Sequence, residues 1–274
     1  MIIGAGIVPH GSLILEHSDF SLFPGAKNLF QAMKSLSKII EKQNPEIIFM
    51  ITPHGIQLSN SFGIYLNESG NGSAEWNNKY QNYTVQINIS SKFSHKLFEY
   101  LKDNQVEIES IIAFSEKKSI SLKWGETVPL WFLKNLNTEY VIFTIPSRRY
   151  DNPKNMIPEL QQLGDQLFNY LNNSAKKIYF LVSGDLSHTH KENGPYNFSN
   201  KANEFDILIE EWILKQKKEL LLNKAANIVN EALSCGFTGF VLMQSLLEKM
   251  KMKSTILSRE IPDYYGMIVA HYFR

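Results

Sequence analysis

The chain lacks most of the features that would tie it to a special environment. It has one cysteine, Cys235, among 274 residues, so no internal disulfide can form and a reducing cytoplasm is the expected location. It has no surplus of one charge: 28 Lys and Arg against 27 Asp and Glu leave a net +1. That balance removes the electrostatic drive toward nucleic acid or an anionic membrane surface. No apolar run approaches the roughly 20 residues of a membrane span. The apolar opening, MIIGAGIVPHGSLILEHSD, carries no basic leader and no small-residue cleavage site, so no targeting segment is expected there. Phosphate-binding glycine loops are missing, as is a Gly-x-Ser-x-Gly elbow around Ser187, which argues against nucleotide binding and serine hydrolysis. Long linkers rich in Pro, Gly or Ser are missing too. Residues 1–274 are therefore expected to form one domain.

What is present is an ordinary globular composition, 43% hydrophobic and 20% charged, in a chain long enough to bury a substantial core. Short apolar runs alternate with amphipathic stretches. Ile2–Val8, Pro45–Thr52, Tyr140–Ile145 and Lys177–Ser183 read as buried strands, with a returning strand at Phe62–Leu66 and an alternating one at Tyr83–Ile89. Helices are expected at Ala26–Glu41, with Phe30, Met33, Ile39 and Ile40 mostly inward, and at Ser91–Lys102, begun by a serine cap. Further helices are expected at Asn155–Asn172, Lys201–Lys215 and Gly236–Met250, then closing strands near Ser254–Ser258 and Tyr265–Phe273. Fully apolar strands between helices imply an α/β fold, a mostly parallel or mixed central sheet with helices on both faces. The polar stretch Asn67–Asn82, which carries Trp76 and Tyr80, reads as a surface loop or a lid over a site.

One motif occurs twice. Ile7-Val8-Pro9-His10-Gly11 and Ile51-Thr52-Pro53-His54-Gly55 each stand where an apolar strand stops. Proline cannot extend the ladder and glycine permits the sharp exit, so each imidazole is held at the carboxyl edge of the sheet, where α/β folds bind ligands. A third strand ends in Ser183-Gly184-Asp185-Leu186-Ser187-His188. His10 and His54 are the candidate metal ligands, with His188 beside them. His17, His95 and His271 have no such context, and the i,i+2 spacing of His190 from His188 does not favour one face. Two histidines leave a divalent ion under-coordinated. The segment Glu231-Ala232-Leu233-Ser234-Cys235-Gly236 offers Glu231, a hard carboxylate suited to Fe(II), and Cys235, a soft thiolate suited to Zn or Cu.

These residues, together with the blocks GAGIVPHGSLI, WGETVPLWFL, SGDLSH with the downstream GPY, EALSCGF and YYGMIVAHYF, resemble the class III extradiol ring-cleavage dioxygenases of the LigB type. The branch containing Memo and the AmmeMemoRadiSam proteins is the nearest in pattern. The motifs occur in order over almost the whole chain. The resemblance implies one LigB-like αβ domain with a divalent metal, Fe(II) first and Zn or Cu as alternatives, on His10 and His54. It implies that His188 moves a proton between a small catecholic substrate and O2. Trp124 and Asp185 are expected in the substrate pocket, with Trp76 and Tyr80 as further aromatic lining. Two positions depart from the ring-cleaving pattern. Lys123-Trp124-Gly125 replaces Asp-His-Gly, and Cys235 stands at the glutamate ligand, a substitution that the Memo branch resembles. The competing expectations are an extradiol dioxygenase and a Memo-like metal protein with a redox or partner-binding role; an α/β domain with an empty site is the third. No nucleic-acid or membrane partner is expected, and the sequence leaves homo-oligomerisation open.

Overall fold

The computed structural model describes residues 1–15, 21–75 and 83–274. In chain order its elements are β1 (Ile2–Val8), α1 (Ala26–Gln43), β2 (Ile47–Thr52), β3 (Phe62–Tyr65), β4 (Ser69–Ser73), β5 (Thr84–Asn88), α2 (Ser91–Asp103), β6 (Ile108–Ile111), β7 (Ile120–Ser121), α3 (Trp124–Leu133), β8 (Glu139–Thr144), α4 (Ile157–Asn172), β9 (Ile178–Ser183), α5 (Lys201–Lys215), α6 (Ala226–Ala232), α7 (Phe237–Lys249), β10 (Lys253–Glu260) and β11 (Met267–Phe273). Eight strands form the main sheet in the order β10-β11-β1-β9-β2-β8-β3-β6. Its centre, β1-β9-β2-β8, is parallel. Antiparallel pairings at β11–β1 and β8–β3 make the sheet mixed.

The central strands are buried along their length because both faces are covered. Along β2, Ile47, Phe49 and Ile51 point into one core and Ile48 and Met50 into the other, as a period of two demands. The first core is closed by α2, α4, α5, α6 and α7. The second is closed by α1, α3 and a small sheet of order β5-β4-β7. Helix α1 buries Leu29, Phe30, Met33, Leu36 and Ile40 at three- and four-residue spacing, and each such side chain contributes about 1.5–3 kcal/mol. Ile39 lies only at the margin of that stripe and Leu36 takes the inward place. Asn44 ends the helix in the left-handed conformation, with φ 48°.

Two features differ from the sequence expectation, and a third had no expectation attached to it. The serine before α2, Ser90, does not cap the helix; its hydroxyl donates to Glu139 Oε2 at 2.7 Å. The stretch expected as a loop or lid is strand β4 over Ser69–Ser73. It is anchored by buried Asn67, whose amide donates to the carbonyls of Ser115 and Lys118. Trp76 and Tyr80 lie outside the described residues, as does His17. The block at Trp124 is a helix, α3, with Pro129 inside it. No helix among the described residues is long and apolar enough to cross a membrane.

Candidate metal centre

Because β1, β9 and β2 are adjacent and parallel, their carboxyl ends open on the same edge. There the residues after Val8, Thr52 and Ser183 meet. The Gly184 N–H donates to the Val8 carbonyl at 2.9 Å, keeping two of the exits side by side. Cys235 arrives from the other direction. Helix α6 stops at Leu233, which adopts φ 54°, and the chain turns inward before α7. A side chain on Gly184 would collide with the backbone of Gly236. The missing Cβ therefore lets the start of α7 lie directly on the end of β9, and Gly236 N–H closes the contact on the Asp185 carbonyl at 3.0 Å.

The result is two overlapping donor groups, His10–His54–Cys235 and Asp185–His188–Cys235, in each of which the ligand atoms lie within 4.8 Å of one another. The geometry of His10 is the most informative. Ser183 Oγ donates to the Gly125 carbonyl at 2.6 Å, so toward His10 Nδ1, 2.9 Å away, it can only accept. The network thus assigns the proton to Nδ1 and leaves the Nε2 lone pair facing inward. Cys235 Sγ lies 3.3 Å from that nitrogen, and Asp185 Oδ2 lies 3.4 Å from it. The Asp185 N–H donates to the sulfur at 3.2 Å. His54 turns Nδ1 toward Tyr150 Oη at 3.3 Å and Arg149 at 3.5 Å, so Nε2 is the nitrogen left for an ion. A lone pair, a thiol sulfur and a carboxyl oxygen converging in one buried place fit a divalent cation.

The electrostatics agree with that fit. Burial, then the charges of His54, His188 and Arg149, holds His10 well below the usual histidine range. Burial and Arg149 bring His54 down to about 3, and burial brings His188 down to about 4. All three imidazoles are therefore neutral at neutral pH, the form that binds metal. Burial pushes Asp185 up to about 7 and Cys235 up to about 12. Without a cation the thiol keeps its proton at neutral pH; uptake of a metal on the thiolate would release it.

Above these groups is a cavity of about 520 Å³, lined among others by Trp124, Tyr150, Tyr196, Tyr264 and Tyr265. Trp124 is half-exposed and stacks on His54 with centroids 4.8 Å apart. Its neighbour Gly125 needs to be glycine, since a Cβ there would stand 2.7 Å from His54 Cβ. His188 stacks on Tyr265, with centroids 5.6 Å apart. Its Nδ1 is buried without a hydrogen-bond partner.

Of the residues expected from the sequence, His10, His54, His188, Cys235, Asp185 and Trp124 all line this cavity. Glu231 is not brought to it. Its side chain is exposed on α6, and its main-chain carbonyl accepts from Thr189 Oγ1 at 3.0 Å. The turn at Leu233 carries residue 235 inward and leaves residue 231 outside. His190 is turned away onto Asp206 at 2.9 Å, His95 pairs with Glu116, and His271 meets the Tyr179 hydroxyl. Ser183, Arg149, Tyr150, Tyr264 and Tyr265 were not anticipated. Arg149 and Tyr150 had a signal that went unused: they follow β8, the fourth parallel strand, in Ile145-Pro146-Ser147-Arg148-Arg149-Tyr150. The tyrosines at 264 and 265 open the block YYGMIVAHYF, which carries the family resemblance without assigning either of them to the site.

Comparison with known proteins places the fold and the family. Protein CA_C1420 of Clostridium acetobutylicum is 24% identical over 262 residues, which are 94% of this chain and 54% of that protein. The chain thus spans about half the length of the curated relative it matches. The crystal structure of uncharacterized protein JW3007 from Escherichia coli K12 shares the fold, with TM-score 0.63 and 14% identity over 98% of this chain and 99% of that one. The model of the family described as the catalytic LigB subunit of aromatic ring-opening dioxygenase matches residues 4–270. With the strand ends, the donor groups and this match taken together, the chain belongs to the LigB family of aromatic ring-opening dioxygenase catalytic subunits.

Proposed function

We propose that the protein is a metal-dependent dioxygenase that opens a catecholic ring beside the hydroxyl pair, with His10, His54 and Cys235 holding the ion. The observation that carries this reading is the convergence of those three ligand atoms within 4.8 Å, on the floor of an aromatic-walled cavity of about 520 Å³. That volume suits a one-ring substrate. When bound, the ion supplies Lewis acidity toward the substrate oxygens and, as Fe(II), the redox capacity that O2 chemistry requires.

The chain's own residues do the rest. His188 is neutral near pH 7, with burial as the main cause, and it lines the cavity. It can take a catechol proton and return it later. Tyr265, stacked on its ring, holds the plane of the imidazole. Trp124 lies flat on His54 and limits water access to the ligand side. Asp185 orients His10 by accepting its backbone N–H at 3.1 Å.

A second reading has one observation in its favour. The third ligand position holds a thiol in place of a carboxylate, and Trp124 occupies the place of a second active-site histidine. A Memo-like metal protein with a redox or partner-binding role and no ring cleavage fits that pattern. Zn or Cu is then the ion. The two readings separate in one experiment. The protein is loaded anaerobically with Fe(II), mixed with a panel of catechols and exposed to O2. The first reading expects ring-opened products and matching O2 uptake. Complete inertness of iron-loaded protein across the panel refutes it and leaves the second.

A further inference from the structure

His190 and Asp206 have no use in the reading above, yet both are taken out of water behind the cavity. Helix α5 buries Ala202, Phe205, Ile209, Trp212 and Ile213, and with them one acid, Asp206. Its carboxylate is fully buried and is divided between two neighbours of His188. Oδ1 accepts the Ser187 N–H at 2.9 Å, and Oδ2 accepts from Nε2 of His190, itself nearly buried, at 2.9 Å. The same Oδ2 lies against Gly266, the residue after Tyr264 and Tyr265, where any Cβ would collide with it. Around this point the two segments run together. Leu186 N–H donates to the Gly266 carbonyl and Gly266 N–H to the Ser187 carbonyl, each at 2.8 Å, and His190 N–H donates to the Tyr264 carbonyl at 3.0 Å. Arg259, the other charged group that acts on Asp206, is paired with Glu210 at 2.7 Å.

A carboxylate and an imidazole are costly to desolvate, and apolar residues of similar volume often serve stability as well. Stability alone therefore does not account for the pair. What it adds over an apolar contact is direction, since charge-assisted hydrogen bonds are short and oriented. Each of its contacts ends within two residues of a ring that lines the cavity. Ser187 and His190 bracket His188, and Gly266 follows Tyr265. Those two rings stack with centroids 5.6 Å apart and planes 11° from parallel. The main chain of the loop is tied to α6 as well, by His188 N–H on the Ala232 carbonyl at 2.8 Å, so α5 and α6 hold it from two directions. We infer that Asp206 and His190 form a positioning clasp that sets the His188 imidazole in register on Tyr265 and aims it into the cavity. Neither residue lines the cavity, so both act through His188. The inference rests on the reading of His188 as the group that moves the substrate proton.

The test reads the His188 ring directly and does not require turnover. Metal-free protein carrying isotope-labelled histidine is compared by NMR as wild type, His190→Leu and His190→Gln. Wild type should give one set of His188 ring signals, displaced from free-histidine values by the stacked Tyr265. In His190→Leu those signals should lose much of the displacement or split, while the His10 and His54 signals and the zinc stoichiometry stay as in wild type. Glutamine keeps an N–H donor for Asp206 and should restore the wild-type signals. Asp206→Asn serves if the leucine variant does not fold, and it should move the His188 signals in the same direction. Signals that stay in place in a folded leucine or asparagine variant overturn the inference, even with a lower melting temperature, because that is the result of a purely structural pair. A glutamine variant that behaves like leucine overturns it too. Where iron-loaded protein opens a catechol, His190→Leu should lower kcat about 10- to 100-fold with KM within about two-fold; an unchanged kcat counts against the clasp. Its fate is separable from that of the dioxygenase reading. Displaced His188 signals in a protein that cleaves no catechol refute ring opening alone. Unmoved signals in a protein that does cleave refute the clasp alone.

Discussion

Replacing Ser183 with alanine tests the site through a residue that would touch neither metal nor substrate. The hydroxyl donates to the Gly125 carbonyl at 2.6 Å and accepts from His10 Nδ1 at 2.9 Å. Both partners are buried, and alanine leaves each without its bond. One unsatisfied buried group costs about 1–3 kcal/mol. The tautomer with Nε2 as lone pair also loses its advantage, and Nε2 is the atom that would face the ion. Loss of such an outer partner lowers metal affinity about 10- to 100-fold. Zn(II) affinity measured by competition with a chromophoric chelator should fall by that factor, with the stoichiometry unchanged. Imidazole ¹⁵N shifts of metal-free protein should report mixed tautomers at His10 in place of one. A purely structural serine would lower the melting temperature and leave those shifts alone. A Zn(II) affinity within two-fold of wild type in a folded variant would falsify the argument.

Three other outcomes are expected. Cys235→Ala should lose metal under conditions in which Glu231→Ala keeps it, read by elemental analysis of purified protein; the reverse pattern would restore the carboxylate as the ligand. His188→Phe keeps a ring against Tyr265 and removes the proton acceptor, so kcat/KM on a cleaved catechol should drop about 10²- to 10⁴-fold with metal content unchanged. Glu126 is buried under the His54 turn, and burial pushes its carboxyl from 4.5 up to about 7. The folded state therefore keeps a proton that the unfolded state has lost, and stability falls as pH rises from about 4.5 to 7, by roughly 3 kcal/mol. Urea unfolding of metal-free Glu126→Gln should match wild type near pH 4.5 and exceed it at pH 8; a variant that runs parallel to wild type across this range refutes the assignment.

Much of this molecule is legible one segment at a time. Runs such as Ile47–Thr52 and Ile178–Ser183 are apolar at every position because both of their faces are buried, and that is visible without knowing the neighbours. The stops after Val8 and Thr52 are equally local, since proline and glycine end a strand by their own geometry. So His10 and His54 could be set at one edge from spacing alone, and His188 with less certainty. The small sheet was not legible. Strand β4, Ser-Gly-Asn-Gly-Ser, has no strand propensity of its own; its pairing with β5 and β7 holds it. Helix α3 carries a proline that masks its pattern, and its helical state is supported by Glu126 Oε2 accepting the Lys123 N–H.

The sequence by itself determined the class of fold, the edge that carries the site and the histidines that reach it, because each depends on covalent geometry and short-range burial pattern. Only the tertiary structure places Cys235 at the cavity and Glu231 in solvent. Just three residues lie between them, and the left-handed turn at Leu233 with the Gly184–Gly236 contact sends one inward and leaves the other in solvent. The same holds for the tautomer of His10. It is set by partners 58 to 225 residues away, and no local pattern records such a distance.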